Sequence, residues 1–198
     1  MKTTVYLIRH GESEGNVRRT FCGWTDVPLT EQGEAQARAL ATALPSPRPY
    51  HLVSSDLQRA RETARLLGEG WGIPVTEDKA FREMHFGAFE NRTWEGITEK
   101  YPALAEQWSA DWFHSPAPEG ESMAALYDRV LPAYRALLAQ WKDTCWGLVA
   151  HSGVLQAILA SELTGGHAAH WRFAPDNARL IRLDYGPDGF AVLKGFNL

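Results

Sequence analysis

Only two cysteines occur in the 198 residues, Cys22 and Cys145, far apart and in no C-x-x-C pair. That scarcity excludes both a disulfide framework and a cysteine-built zinc site. Seven histidines are present, yet none stands in the H-x-x-x-H or H-E-x-x-H spacing of a helical metal site. Basic charge is not in excess either, with 20 Lys and Arg against 24 Asp and Glu and a net charge of -4. A broad electrostatic footprint for nucleic acid or anionic lipid is therefore absent, and any bound anion should be small and locally held. No apolar run approaches a bilayer-spanning length, and the first residues show no charged, apolar and cleavable leader pattern. The expectation is a cytoplasmic chain with no membrane and no nucleic-acid partner.

What the sequence has is an ordinary globular composition, 44% hydrophobic, enough for one buried core and one domain over 1–198. Strand-like runs at Val5 to Ile8, His51 to Ser54 and Trp146 to Ala150 alternate with helical patterns at 31–44 and 56–67. This alternation predicts an α/β fold, a three-layer α/β/α arrangement around a mostly parallel sheet. Ser55-Asp56-Leu57-Gln58 has capping-box spacing and predicts where the helix carrying Arg59 starts. Near the end, RLIRLDY and FAVLKGF flank Gly186-Pro187-Asp188-Gly189, a predicted hairpin. Residues 84–125 break the rhythm. They hold seven aromatics and lead through a Pro/Gly-rich loop into a helix over about 122–141, so they read as a helical cap insertion over one end of the sheet.

Chemistry-bearing residues collect at strand ends. The run Val5 to Ile8 leads directly into Arg9, His10 and Gly11, and a second strand ends in AHSG at 150–153. In an open α/β sheet, ligands bind beyond the carboxyl ends of the strands, so His10 and His151 can meet at one edge. Arg59 comes from a third strand-to-helix junction. Its planar fork suits phosphate oxygens, and helix N-termini at the same edge add N–H donors. Singly each residue is weak evidence, since a lone strand-end histidine is more often structural. Placed together at three junctions, two arginines and two histidines point to a small dianion, and phosphate fits best. A zinc or iron site built on His10, His151, His85 and Glu83 is disfavoured by the adjacent arginines and the missing spacing. A non-catalytic phospho-ligand module, which would keep the arginines, is the alternative class, and Glu83 taken alone reads as a surface carboxylate.

The motifs LIRHGES-GN (7–16), GWTDVPLTEQGEAQA (23–37), SSDLQRARETA (54–64), FREMHFGAFE (81–90) and VAHSGV (149–154) together resemble the histidine phosphatase superfamily, in its phosphoglycerate-mutase-like branch. The resemblance implies a phosphoric monoester hydrolase that needs no metal or other cofactor. His10 would be the nucleophile that becomes phosphohistidine. Arg9, Arg59 and His151 would hold the phosphate, Glu83 would be the proton donor, and Asn16, Gly23 and Ser152 would line the phosphate pocket.

Within the superfamily, EMHFGAFENRTW, the DW-loop-PEGES passage and WRF (171–173) resemble the α-ribazole phosphatase branch. That resemblance implies a phosphomonoester partner carrying a flat benzimidazole. The tryptophans Trp94 and Trp112 are the candidates to stack on it. The cap carries Arg92 and Lys100 against Glu90, Glu95, Glu99, Glu106, Asp111, Glu119 and Glu121, two bases minus seven acids giving -5, which argues against a doubly anionic substrate. Broad-specificity or phosphoserine phosphatase and phosphoglycerate mutase are the alternative readings. A homodimer is compatible with the sequence.

Overall fold

The computed structural model describes residues 2–198. Its sheet has six strands among the described residues: β1 (Thr3–Arg9), β2 (Leu52–Ser54), β3 (Val75–Glu77), β4 (Cys145–Ala150), β5 (Leu180–Tyr185) and β6 (Ala191–Gly195), in the spatial order β3-β2-β4-β1-β5-β6. The four strands from β3 to β1 are parallel, while β5 runs antiparallel to β1 and forms the expected hairpin with β6. The helices are α1 (Glu14–Arg18), α2 (Glu31–Thr42), α3 (Gln58–Trp71), α4 (Trp94–Lys100), α5 (Pro102–Ala110), α6 (Met123–Gln140) and α7 (Ser152–Thr164).

Three layers follow from how the strands alternate. Val5 and Leu7 of β1 face a core with Leu126 and Val130 of α6 and Leu155 and Ile158 of α7. Tyr6 and Ile8 face the opposite core, where Ala60, Ala64 and Leu67 of α3 pack with Leu40 and Ala41 of α2. A strand covered by helices on both faces must be apolar throughout, and Thr3 to Ile8 are all buried. Helix α7 is apolar on every side because it lies between the sheet and its neighbours, and Gly153 to Ala160 are buried without interruption.

Helix α3 begins two residues later than its capping-box spacing predicts: the residue before its first turn is Leu57, with no side-chain cap. Asp26, from a distant loop, supplies the missing acceptor, taking the Gln58 N–H at 2.6 Å. Strand β3 has no counterpart in the sequence reading. It is a three-residue edge strand, half-buried at Val75 and exposed at Thr76 and Glu77, and so carries no apolar run.

Between Met84 and Ala125 the chain forms a 3-10 turn at Gly87–Phe89, then α4 and α5, around a small core of Phe89, Ile97, Ala105 and Ala117. Phe21, from the loop after α1, joins both this core and the main one, which fastens the segment over the carboxyl end of the sheet.

Candidate active site

Parallel pairing delivers the chemistry to one edge. Arg9 is in register with Ala150, and Ser54 with Val149, so the residues just past β1, β2 and β4 lie side by side. The His10 and His151 rings are 5.2 Å apart. His10 is 4% exposed and His151 fully buried.

Hydrogen bonding sets the tautomer of His10. Its Nδ1 lies 2.7 Å from the Gly11 carbonyl, which can only accept, so Nδ1 carries the proton and Nε2 keeps a free lone pair. Gly11 is fixed in turn, its N–H donating to Thr63 Oγ1 at 3.0 Å. His151 Nε2 pairs with Ser55 Oγ at 2.9 Å, and its Nδ1 is buried without a protein partner. Burial first, then Arg59 and Arg9, hold His10 well below the ordinary histidine value. Burial and then Arg59 do the same to His151. Both rings are neutral.

The two arginines are placed differently. Arg9 donates through Nη1 to the Pro175 carbonyl at 2.9 Å, and its buried Nε–H has no protein partner. Arg59 is 1% exposed and holds a loop, with Nη1 donating to Thr25 O and Nη2 to Cys22 O and Gly23 O. Its clamp on that loop was not foreseen from sequence, yet it borders the same cavity as Arg9.

Glu83 is anchored by two backbone donors, Met84 N–H at 2.9 Å to Oε1 and Gly153 N–H at 3.0 Å to Oε2. Asn16 Oδ1 accepts from Ser13 N–H and from Asn177 Nδ2, and Asn177 also donates to the His10 carbonyl at 2.8 Å. These groups surround a cavity of about 290 Å³ bordered by Arg9, His10, Asn16, Arg59, Glu83 and Ser152. Of the predicted phosphate-site residues, His151 is fully buried against the His10 ring with its Nδ1 unpartnered, and is not itself among the residues bordering the cavity. Gly23 lies outside it, since its N–H is spent on Glu90 Oε2 and its α-carbon packs so close to the Met84 carbonyl that a β-carbon would lie 1.9 Å away. Arg19, Thr20, Phe21 and Cys22 border the cavity instead.

A second compartment of about 220 Å³ adjoins the first, sharing Phe21, Glu83, Phe86 and Ser152 with it. This annex is bordered by Met84, Trp108, Met123, His170 and Trp171. Trp94 and Trp112 do not border it. Trp94 packs behind Phe21 and Trp108, and Trp112 behind His170 and Trp171, so both support walls that other rings form. Helical spacing in the cap marks aromatics for burial but says nothing of which ones face inward.

Glu90 is the residue that sequence reasoning most undervalued. Counted there as surface charge, its carboxylate accepts from the backbone N–H of Gly23, Trp24, Thr25 and Phe86. Glu121 is likewise used internally, paired with Arg129 at 2.8 Å and taking the His85 N–H. The cap's -5 therefore overstates the negative field at the cavity, which Arg9, Arg19 and Arg59 border together with Glu83.

Paired neutral imidazoles among arginines at the edge of a parallel sheet define a site for a small phosphorylated molecule. The chain belongs to the histidine phosphatase superfamily (branch 1), whose profile matches residues 5–197, and it is a phosphoric monoester hydrolase. It is 35% identical over 195 residues to the adenosylcobalamin/α-ribazole phosphatase of Salmonella typhimurium, covering 98% of this chain and 95% of that one. It is also 35% identical over 185 residues to a Serratia proteamaculans protein named "Probable phosphoglycerate mutase GpmB", covering 91% and 84%. Among solved structures, the α-ribazole phosphatase of Shigella flexneri superposes with a TM-score of 0.91 at 30% identity, covering 98% of this chain and 96% of that one. A mycobacterial glucosyl-3-phosphoglycerate phosphatase in complex with VO3 gives 0.86 at 32%, covering 98% of both. No helix among the described residues is long and apolar enough to cross a membrane.

Proposed function

We propose that this chain hydrolyses phosphomonoesters through a phosphohistidine on His10, without a metal, and that α-ribazole 5'-phosphate is its substrate. The observation that carries the chemistry is the Nδ1–H bond from His10 to the Gly11 carbonyl, which leaves Nε2 as the nucleophile. Nε2 attacks phosphorus while the bond to the ester oxygen breaks, and Glu83 delivers a proton to that oxygen. Water then attacks the phosphohistidine, gives its proton to Glu83, and displaces His10 as inorganic phosphate forms. Arg9 Nε–H, the donors of Arg59 not given to the loop, and His151 Nδ1–H stabilise the equatorial oxygens. Ser55 would set the His151 tautomer by donating its hydroxyl to Nε2.

The annex supports the substrate choice. An apolar compartment adjoining the phosphate cavity at Glu83 suits an aromatic leaving group, and the names of the Salmonella and Shigella relatives point the same way. The arginines at the cavity and the internal use of Glu90 and Glu121 favour a second reading, a broader phosphatase that accepts acidic esters.

Rapid acid and alkali quench with labelled substrate tests the chemistry: the enzyme-bound label should survive alkali, vanish in acid, and be absent from His10→Ala. Label on Ser13 would refute it. Arg59→Ala should reduce turnover by roughly 10²-fold or more, while Arg61→Ala, outside the site, should not. A substrate panel tests the specificity, with kcat/KM for α-ribazole 5'-phosphate expected to exceed that for 3-phosphoglycerate by at least about tenfold.

A further inference from the structure

The annex wall carries two polar groups that the fold leaves unsatisfied. Trp108 is 8% exposed and His170 fully buried, both border the annex, and neither Trp108 Nε1 nor His170 Nε2 has a hydrogen-bond partner. Leaving a buried polar group unpaired is costly, and a ligand that pairs with it removes the cost. Indole nitrogen is a donor only. For His170, the other ring nitrogen decides, since Nδ1 lies 3.0 Å from the Tyr127 hydroxyl. A phenol is the stronger donor and an imidazole nitrogen the stronger acceptor, so Tyr127 donates to Nδ1 and the ring proton sits on Nε2. Burial, with His167 adding to it, lowers His170 to about 4, so the ring is neutral and the pattern holds at neutral pH.

We propose that the annex recognises a hydrogen-bond acceptor on the leaving group, an unsubstituted ring nitrogen or ring carbonyl, which takes the His170 Nε2–H with the Trp108 Nε1–H as second donor. The proposal rests on the reading that the phosphate sits at His10. An ester seated there runs past Glu83 and Phe86, which border both compartments, and its ring then enters the annex. In this pose Met84 and Met123, which border the annex, would pack on the ring's faces, and the two unpartnered N–H groups would meet its edge. A ring of the same shape without an acceptor buries both donors unpaired, and sites built around a hydrogen bond discriminate strongly on that ground. An N-ribosylated benzimidazole offers such an acceptor in its second nitrogen. Indole, of the same shape, presents a C–H there.

The test compares kcat/KM for ribosyl-benzimidazole 5'-phosphate and ribosyl-indole 5'-phosphate in the full-length enzyme. The benzimidazole ester should be favoured by about tenfold or more, and the ratio should fall towards one in His170→Phe and partly in Trp108→Phe. Because both esters are read on one protein, a general loss of stability or activity cancels from the ratio. Equal rates for the two esters in the wild type, both above phosphoserine, would overturn the inference and leave the proposed function standing. A benzimidazole preference that survives in both variants overturns it as well. Phosphoserine or 3-phosphoglycerate preferred over both esters overturns the substrate reading on which it rests.

Discussion

Glu83 keeps its place at the cavity beside His10 because residue 153 has no side chain. A β-carbon there would lie 2.5 Å from Glu83 Oε1, and the same glycine supplies the N–H that holds Oε2. Gly153→Ala should therefore displace the carboxyl group without touching the nucleophile. Its effect should depend on the leaving group, because an alkoxide needs a proton to depart and a nitrophenoxide does not. We expect kcat to fall roughly 10²-fold for an alkyl phosphate, the contribution of a positioned general acid, and by much less for 4-nitrophenyl phosphate. Parallel assays of both esters decide it; equal losses would assign Glu83 some role other than proton delivery.

At the level of elements, the loop from Cys22 to Thr25 is held from both sides. Arg59 of α3 takes its carbonyls and Glu90 of the cap takes its amides. Glu90→Gln turns an acceptor-only carboxylate into an amide that faces four N–H groups. Loss of such charge-assisted bonds should cost about 1–3 kcal/mol of stability and weaken substrate binding, whereas Glu95→Gln, at an exposed position of α4, should do neither. Urea unfolding of the two variants is the measurement. Local signals of this kind divide what the sequence shows from what it hides. Strands β1, β2 and β4 are apolar on both faces, so their runs are visible and the histidines at their ends stand out. Strand β3 is short and half-exposed, the N-terminal acceptor of α3 is contributed by Asp26 from 32 residues away, and Glu90 gains its role from amides of a distant loop. Those features depend on contacts between remote segments, and no window of sequence contains them. The same limit hides that Trp108 and Trp171, rather than Trp94 and Trp112, border the annex.

For the molecule as a whole, three histidines, His10, His151 and His170, are kept neutral by burial. The unfolded chain takes up a proton on each near its ordinary value of about 6.5, and the native chain does not until the pH is far lower. The unfolded state then binds more protons, so stability rises with pH in that interval and is lost as pH falls below about 6.5. Each histidine contributes about 1.4 kcal/mol per pH unit there. Denaturant midpoints taken from neutral pH downward should fall accordingly, and His170→Phe should flatten the slope. A midpoint that stays level between those conditions would contradict the burial of neutral rings.

The double grip on the Cys22–Thr25 loop also bears on how members of this superfamily can be recombined. The carbonyl clamp belongs to the α/β body and the amide clamp to the cap, so a gene hybrid that exchanges residues 84–121 for another member's exchanges only one of them. Such a graft should give a working hydrolase when the incoming segment brings a carboxylate to the place of Glu90 and a backbone carbonyl at position 84 that packs against the retained Gly23. Library designers could thus vary the annex freely while treating those two positions as the splice.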